Sequence, residues 1–305
     1  MSRIHDALRR AELDRVSRAA KTDLKELTEV TADTLLSSVV DGKSFDSPVL
    51  RNRVPDADGA LSYEALAKKC AHPNWRIDPQ VSVFEHGEPG NAGAERFRTL
   101  RSRLYQAAKV QPLRRVLITS STPAEGKSFV AANVAQSFAS GPECRVLLVD
   151  ADMRGSRLDV ALGAPRTPGL TNYLRGGADE ISVIQINTQS GFGFIPAGDP
   201  VADPGELILG GRMKKLLDLV TPAFDWVILD SPPALAVHDA SLLADLCDGV
   251  LFVVKAGGTN LDDAMKASSE FQNKNLLGVV LNQVEKADLY EGYYFSGKHG
   301  GGQKK

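Results

Sequence analysis

The sequence predicts an α/β fold with a mostly parallel central sheet flanked by helices on both sides. Three observations lead there. Short, β-branched apolar runs alternate with helical patterns through much of the chain. One run leads through a loop into "GKS" and a helix, and two others end in aspartate.

In chain order, residues 1–21 read as a short amphipathic helix, with Ile4, Ala7, Leu8 and Ala11 at helical spacing. Six basic against three acidic residues make it locally positive. It either docks on its own domain or is a handle for a membrane surface or partner protein. Residues 22–80 mix weak helical stretches ("DLKELTEV", "ALSYEALAKKC") with Gly, Pro, Asp and Ser, and read as a linker or poorly ordered arm. The compact domain is expected over 81–284. It opens with the helical segment 94–109. The predicted strands are 115–119, 145–150, 192–197, 226–231, 250–254 and 276–282. They are apolar throughout, as strands buried on both faces must be. Helices are predicted near 127–139, 206–219, 239–246 and 260–273. Residues 285–305 form a flexible Gly-rich tail carrying Tyr290, Tyr293 and Tyr294, half of the chain's six tyrosines.

Composition excludes several classes. A net charge of -2 argues against a general nucleic-acid binder. Cys70, Cys144 and Cys247 contain no CxxC pair, which argues against a disulfide framework or a zinc site and fits a reducing cytoplasm. The first residues lack a secretory apolar core, and no run approaches the ~18 apolar residues that span a bilayer. Work at a membrane would need recruitment by another protein.

The stretch "LITSSTPAEGKSFVAANVAQSFA" carries the most chemistry. A strand ends at Thr119, and a loop of Ser121, Thr122, Pro123, Ala124, Glu125 and Gly126 leads to Lys127, Ser128 and Phe129. The following helix stripes Val130, Ala131, Val134, Ala135 and Phe138. This is the context of a phosphate-binding loop. Loop amides and the helix N-terminus aim at an anion, and Gly126 lets the backbone approach phosphate. Lys127 is placed for the β and γ phosphates, and Ser128 for Mg²⁺. Position 121 is Ser where the general GxxxxGK[ST] pattern has Gly, so the loop is a deviant form.

"RVLLVDADMRG" ends a strand in Asp150, Asp152 and Arg154, and "DWVILDSPP" ends another in Asp230. In a parallel sheet ligands bind beyond the strands' carboxyl ends, so these acids and the phosphate loop should share one crevice. Ser128 with Asp152 or Asp230 would position Mg²⁺, a hard ion that prefers oxygen. Asp150 or Asp152 would accept a proton from an attacking hydroxyl. Arg154 is expected to stabilise charge or bind a partner.

These residues resemble a family. "SSTPAEGKS", "LLVDADMR" and "VILDSPP" are similar to the Walker A, Walker A′ and Walker B motifs of bacterial tyrosine kinases, P-loop autokinases of exopolysaccharide and capsule systems. Serine at the first loop position is usual there. The resemblance covers about residues 80–295 and includes "IPAGDPVADPGELI" and the tyrosine-bearing tail. It implies a deviant P-loop fold like that of partition ATPases, and MgATP on loop 121–128. It also implies Asn282 against the adenine and transfer to Tyr290, Tyr293 and Tyr294 of another subunit. Glu95, Arg98 and Arg101 resemble the family's ExxRxxR helix, which implies ring-like self-association; alone, they would be ion pairs along a wet helix. "MSRIHDALRRAE" looks like the start of exosortase-associated members. The chain resembles the separate cytoplasmic type, activated by a cytoplasmic stretch of a membrane co-polymerase at the inner face of the membrane.

Three rivals stand beside this reading. A partition-type ATPase switch would carry a Lys early in a KGGxGK[ST] loop, and no Lys lies between Ser120 and Gly126. A nucleotide-binding scaffold would not need every catalytic group. An iron–sulfur assembly scaffold would need a CxxC near the C-terminus.

Overall fold

The computed structural model describes residues 62–84, 91–141, 143–187 and 191–284. The predicted helix over 1–21, most of the arm and the tail with Tyr290, Tyr293 and Tyr294 lie outside the described residues.

Seven strands form one sheet: β1 (Arg115–Ser120), β2 (Val146–Asp150), β3 (Gln185–Asn187), β4 (Phe192–Ile195), β5 (Trp226–Asp230), β6 (Gly249–Lys255) and β7 (Leu276–Asn282). Their spatial order is β3-β4-β2-β5-β1-β6-β7. Every pairing is parallel except β3 with β4. The helices are α1 (Tyr63–Lys69), α2 (Ala92–Val110), α3 (Lys127–Ala139), α4 (Leu158–Leu162), α5 (Leu170–Leu174), α6 (Pro204–Leu209), α7 (Arg212–Val220), α8 (Asp239–Ala244) and α9 (Leu261–Ser269).

Strand residues alternate between two cores, because successive side chains point to opposite faces. Leu117, Leu147, Val149, Val227, Leu229 and Phe252 pack under α5 to α9. Val116, Ile118, Val146, Leu148, Ile228 and Val253 pack under α2 to α4. Trp226 anchors the second core, stacked on Phe138 at 4.3 Å. Both faces are covered at the centre of the sheet, which explains the unbroken apolar runs Val116–Ile118, Val146–Val149, Trp226–Leu229 and Val250–Val254.

The structure departs from expectation at three places. The domain begins earlier than 81: Ser62 caps α1, Leu66 is wholly buried, and the Ile186 amide donates to the Ala71 carbonyl at 2.9 Å. The helix lies in the weak helical stretch "ALSYEALAKKC", but at 7 residues with a single side chain buried in its interior it gives no apolar period that would tie it to the domain. The helix predicted over 206–219 is two helices, broken where Gly211 adopts φ 78°. Strand β3 and helices α4 and α5 are too short to show a period.

Candidate active site at the carboxyl ends of the strands

β2, β5 and β1 are adjacent, and their carboxyl ends lie level. Asp150 pairs in register with Asp230, and Asp230 with Ile118. The phosphate loop, Asp150, Asp152 and Asp230 therefore meet at one end of the sheet, as a parallel arrangement requires.

The loop is braced from beneath. Glu125 is buried and faces back under the loop. Its carboxylate accepts from the Ser121 hydroxyl at 3.0 and 2.9 Å and from the Thr122 amide at 2.8 Å. The Thr259 hydroxyl, between β6 and α9, also donates to it. The departure from Gly at position 121 thus has a structural use: the serine hydroxyl ties the first loop residue to Glu125. From above, Asn282 Nδ2 donates to the Glu125 carbonyl at 2.9 Å, and Gln283 Nε2 to the Ala124 carbonyl at 3.3 Å. Gly126 has φ 90°, and a Cβ there would lie 2.0 Å from Asn282 Nδ2. Only glycine meets both demands.

Lys127 opens α3 and its Nζ lies 2.9 Å from Asp152 Oδ2 and 3.4 Å from Ser128 Oγ. Burial opposes the ammonium charge, but Asp230, Asp152 and Asp150 outweigh it, and its pKa is raised. Asp150 is fully buried. Burial first, then the Asp230 charge, pushes its pKa well above the usual carboxylate range, while a hydrogen bond from Ser156 works against the rise. Burial pushes Asp230 up to about 6, although Lys127 pulls it down. Asp150 Oδ1 and both Asp230 oxygens have no hydrogen-bond partner among the described residues. Buried carboxylate oxygens left bare in this way are a site for a ligand that supplies positive charge.

Arg154 is held by Asp239 in a two-point contact, Nε to Oδ2 at 2.8 Å and Nη2 to Oδ1 at 3.2 Å. Asp239 is buried at the first turn of α8, while the Arg154 side chain is 35% exposed. Ser156, Asp239 and Thr259 escaped the sequence reading. Each is an isolated polar residue in a loop or at a helix end, and no spacing rule points to it.

Among the three residues expected to mediate self-association, Glu95 and Arg98 pair with each other on the exposed face of α2. Arg101 instead donates to the Ser137 carbonyl at the end of α3. Arg101 is an internal tie between helices.

Known proteins settle the family. Tyrosine-protein kinase YwqD of Bacillus subtilis is 34% identical over 219 residues, spanning 70% of this chain and 92% of that protein. The chain belongs to the bacterial tyrosine-protein kinases. The kinase domain of the Escherichia coli tyrosine kinase ETK superposes with a TM-score of 0.63 at 27% identity, covering 76% of this chain and 93% of that one. The chimerical protein CapA2B2 superposes with a TM-score of 0.64 at 28% identity, over 74% of this chain and 100% of that one. No protein-family model matches the chain. The fold is thus that of the bacterial tyrosine kinases, a P-loop α/β sheet with a deviant loop. Among the described residues no helix is long and apolar enough to cross a membrane.

The acids also fit the expected metal. Among the described residues no group of three or more His, Cys, Asp or Glu side chains forms a cage. Mg²⁺ in phosphoryl-transfer sites is held by one or two carboxylates together with substrate phosphates. The bare oxygens of Asp230, with Ser128 and Asp152 near them, suit that chemistry.

Proposed function

We propose that this tyrosine kinase uses MgATP to phosphorylate Tyr290, Tyr293 and Tyr294 of a neighbouring copy of the chain. The observation that carries this reading is the convergence of Lys127, Asp150, Asp152 and Asp230 beside a braced phosphate loop. Amides of residues 121–128 and the α3 N-terminus cradle the β and γ phosphates. Lys127 exchanges its Asp152 contact for phosphate oxygens. Ser128, Asp152 and Asp230 would hold Mg²⁺, which would neutralise phosphate charge.

Asp150 is the proton acceptor in this reading. Its raised basicity and single bare oxygen suit the role, and Ser156 fixes the other oxygen. The tyrosine oxygen forms the new P–O bond, its proton passes to Asp150, the bond from the γ-phosphorus to the bridging oxygen breaks, and ADP leaves. Asp152, tied to Lys127, serves the phosphates and metal. Asn282 spends its Nδ2 on the loop, so its Oδ1 is the atom that would accept from the adenine amino group. Arg154, aimed by Asp239, stabilises charge on the transferred group.

In the cell, the reading is a cytoplasmic kinase that assembles as a ring and is recruited to the inner face of the plasma membrane. A cytoplasmic segment of a membrane polysaccharide co-polymerase would activate it, and tail phosphorylation would loosen the assembly through added charge of about -1.5 to -2 per tyrosine. Cycling of this kind would regulate exopolysaccharide polymerisation and export.

The test incubates the full chain with MgATP, alone and with a host membrane fraction, and maps phosphotyrosine by mass spectrometry. Lys127→Met and a Tyr290/Tyr293/Tyr294→Phe chain run alongside. Phosphate on the tail, lost in Lys127→Met, supports the reading. ATP turnover with no phosphotyrosine in either condition would replace it with a partition-type ATPase switch.

A further inference from the structure

A groove of about 500 Å³ opens between α2, the start of α3 and the edge strand β7. Its floor is apolar. Phe97, Leu100, Phe129 and Val280 line it and are only half-buried. Phe97 and Phe129 meet edge to face at 5.8 Å, which sets a firm aromatic wall. A half-buried apolar trough of this volume, bounded by polar groups, has room for the side chains of an extended segment. Its rim carries Arg96 and Arg103, both exposed and without an ion-pair or hydrogen-bond partner among the described residues. Seven residues apart on one helix, they lie on the same face, about 10 Å from each other along the axis.

The chain itself supplies the complementary ligand. The far wall of the groove includes Asn282, Gln283 and Val284, so residue 285 starts at its edge. The next eleven residues are "EKADLYEGYYF". They hold Glu285, Asp288 and Glu291 against one basic residue, Lys286, and five large apolar or aromatic side chains from Leu289 to Phe295. Acid and aromatic content is what a floor of Phe and Val under an Arg rim would select. The reach is ample, since ten extended residues span up to about 33 Å. A tether this short also holds the tail at roughly millimolar effective concentration, which favours its own groove over another copy's.

We propose that the α2–β7 groove is a resting berth for the chain's own tail. Residues 285–295 lie in it in cis, rings on the Phe97–Phe129 floor and carboxylates toward Arg96 and Arg103. The docked tail withholds its tyrosines from a neighbour, and release must precede transfer. That consequence rests on the kinase reading; the berth itself does not.

The test places a photoreactive side chain on the tail. The full-length chain with Tyr293→p-benzoylphenylalanine is irradiated without nucleotide, as an equal mixture of light and heavy isotope preparations. Adducts are mapped by mass spectrometry. The berth predicts adducts on residues 96–103 or 279–284 that join segments of one isotope. It also predicts at least a fivefold loss of yield in Arg96→Glu/Arg103→Glu, two exposed positions without a partner among the described residues, where charge reversal should leave the fold intact. Mixed-isotope adducts would give the groove to a second copy and overturn the proposal. Adducts only elsewhere, no adduct, or a yield indifferent to charge reversal would overturn it as well. Labelling needs no ATP, so a chain that labels in cis yet never forms phosphotyrosine keeps the berth and loses the kinase reading.

Discussion

Asp150 and Asp230 sit opposite each other across the β2–β5 ladder, and neither carboxyl is exposed. Burial penalises the charged form of each acid, the Asp230 charge raises Asp150 further, and Lys127 partly offsets the penalty at Asp230. The pair makes the folded state bind protons more tightly than the unfolded one. Asp230 titrates near 6 in the fold against 3.8 as its ordinary value. Between those values the folded chain holds the extra proton, so stability falls as pH rises through the window. The loss is on the order of 3 kcal/mol for Asp230, and Asp150 adds in the same direction. Asp230→Asn should therefore melt several degrees higher than the native chain at pH 7.5 without nucleotide, and the gap should close near pH 4. Thermal melts across pH 4 to 8 check this. An equal gap at every pH would show that ionisation of the buried carboxylate is not its source.

The brace under the phosphate loop predicts a binding defect. Thr259→Val leaves a buried carboxylate at Glu125 short of one donor, a change that costs about 1–3 kcal/mol. The loop should loosen, so KM for ATP should rise several-fold with a smaller change in kcat. Thr259→Ser keeps the hydroxyl and should restore the native KM. Steady-state kinetics on the two variants decides between a positioning role and a merely structural one. A general loss of packing would lower the melting temperature of both.

Gly126 makes a sharper claim about the same loop. An alanine there meets Asn282 Nδ2 at 2.0 Å and must also hold φ 90°. Relieving the first demand leaves the second. Gly126→Ala should abolish nucleotide binding, and adding Asn282→Gly should recover only part of it. Titration with a fluorescent ATP analogue measures both chains; full recovery would make the clash the whole cause.

Much of this was legible in the sequence, for a physical reason. Strands buried on both faces must be largely apolar, so β1, β2, β5 and β6 announce themselves. The loop and the strand-end acids are legible because phosphate chemistry constrains residue types at fixed spacing. The supporting groups are a different matter. Thr259 reaches Glu125 from 134 positions away, and Asp239 reaches Arg154 from 85. Contacts between distant loops are set by the assembled sheet, and no local period encodes them. Arg101, expected at a self-association face, also donates to the Ser137 carbonyl, a contact between helices that the spacing of the three residues does not announce. Short elements such as β3, α4 and α5 are silent for want of length.

The Arg154–Asp239 contact is the place where such a distant support should govern catalysis. A planar guanidinium held at two points is aimed, whereas an ammonium on the same stem would wander. If Arg154 acts on charge that develops during transfer, Arg154→Lys should lower kcat about tenfold and leave KM for ATP nearly unchanged. Asp239→Asn keeps the shape of the support but weakens the aim, so it should reproduce much of the same defect. The double variant should then be little worse than Arg154→Lys alone, because both changes remove one unit. Additive losses would mean that Asp239 acts independently of Arg154. Rates of tyrosine phosphorylation in the four chains of that cycle, at saturating MgATP, separate the two outcomes.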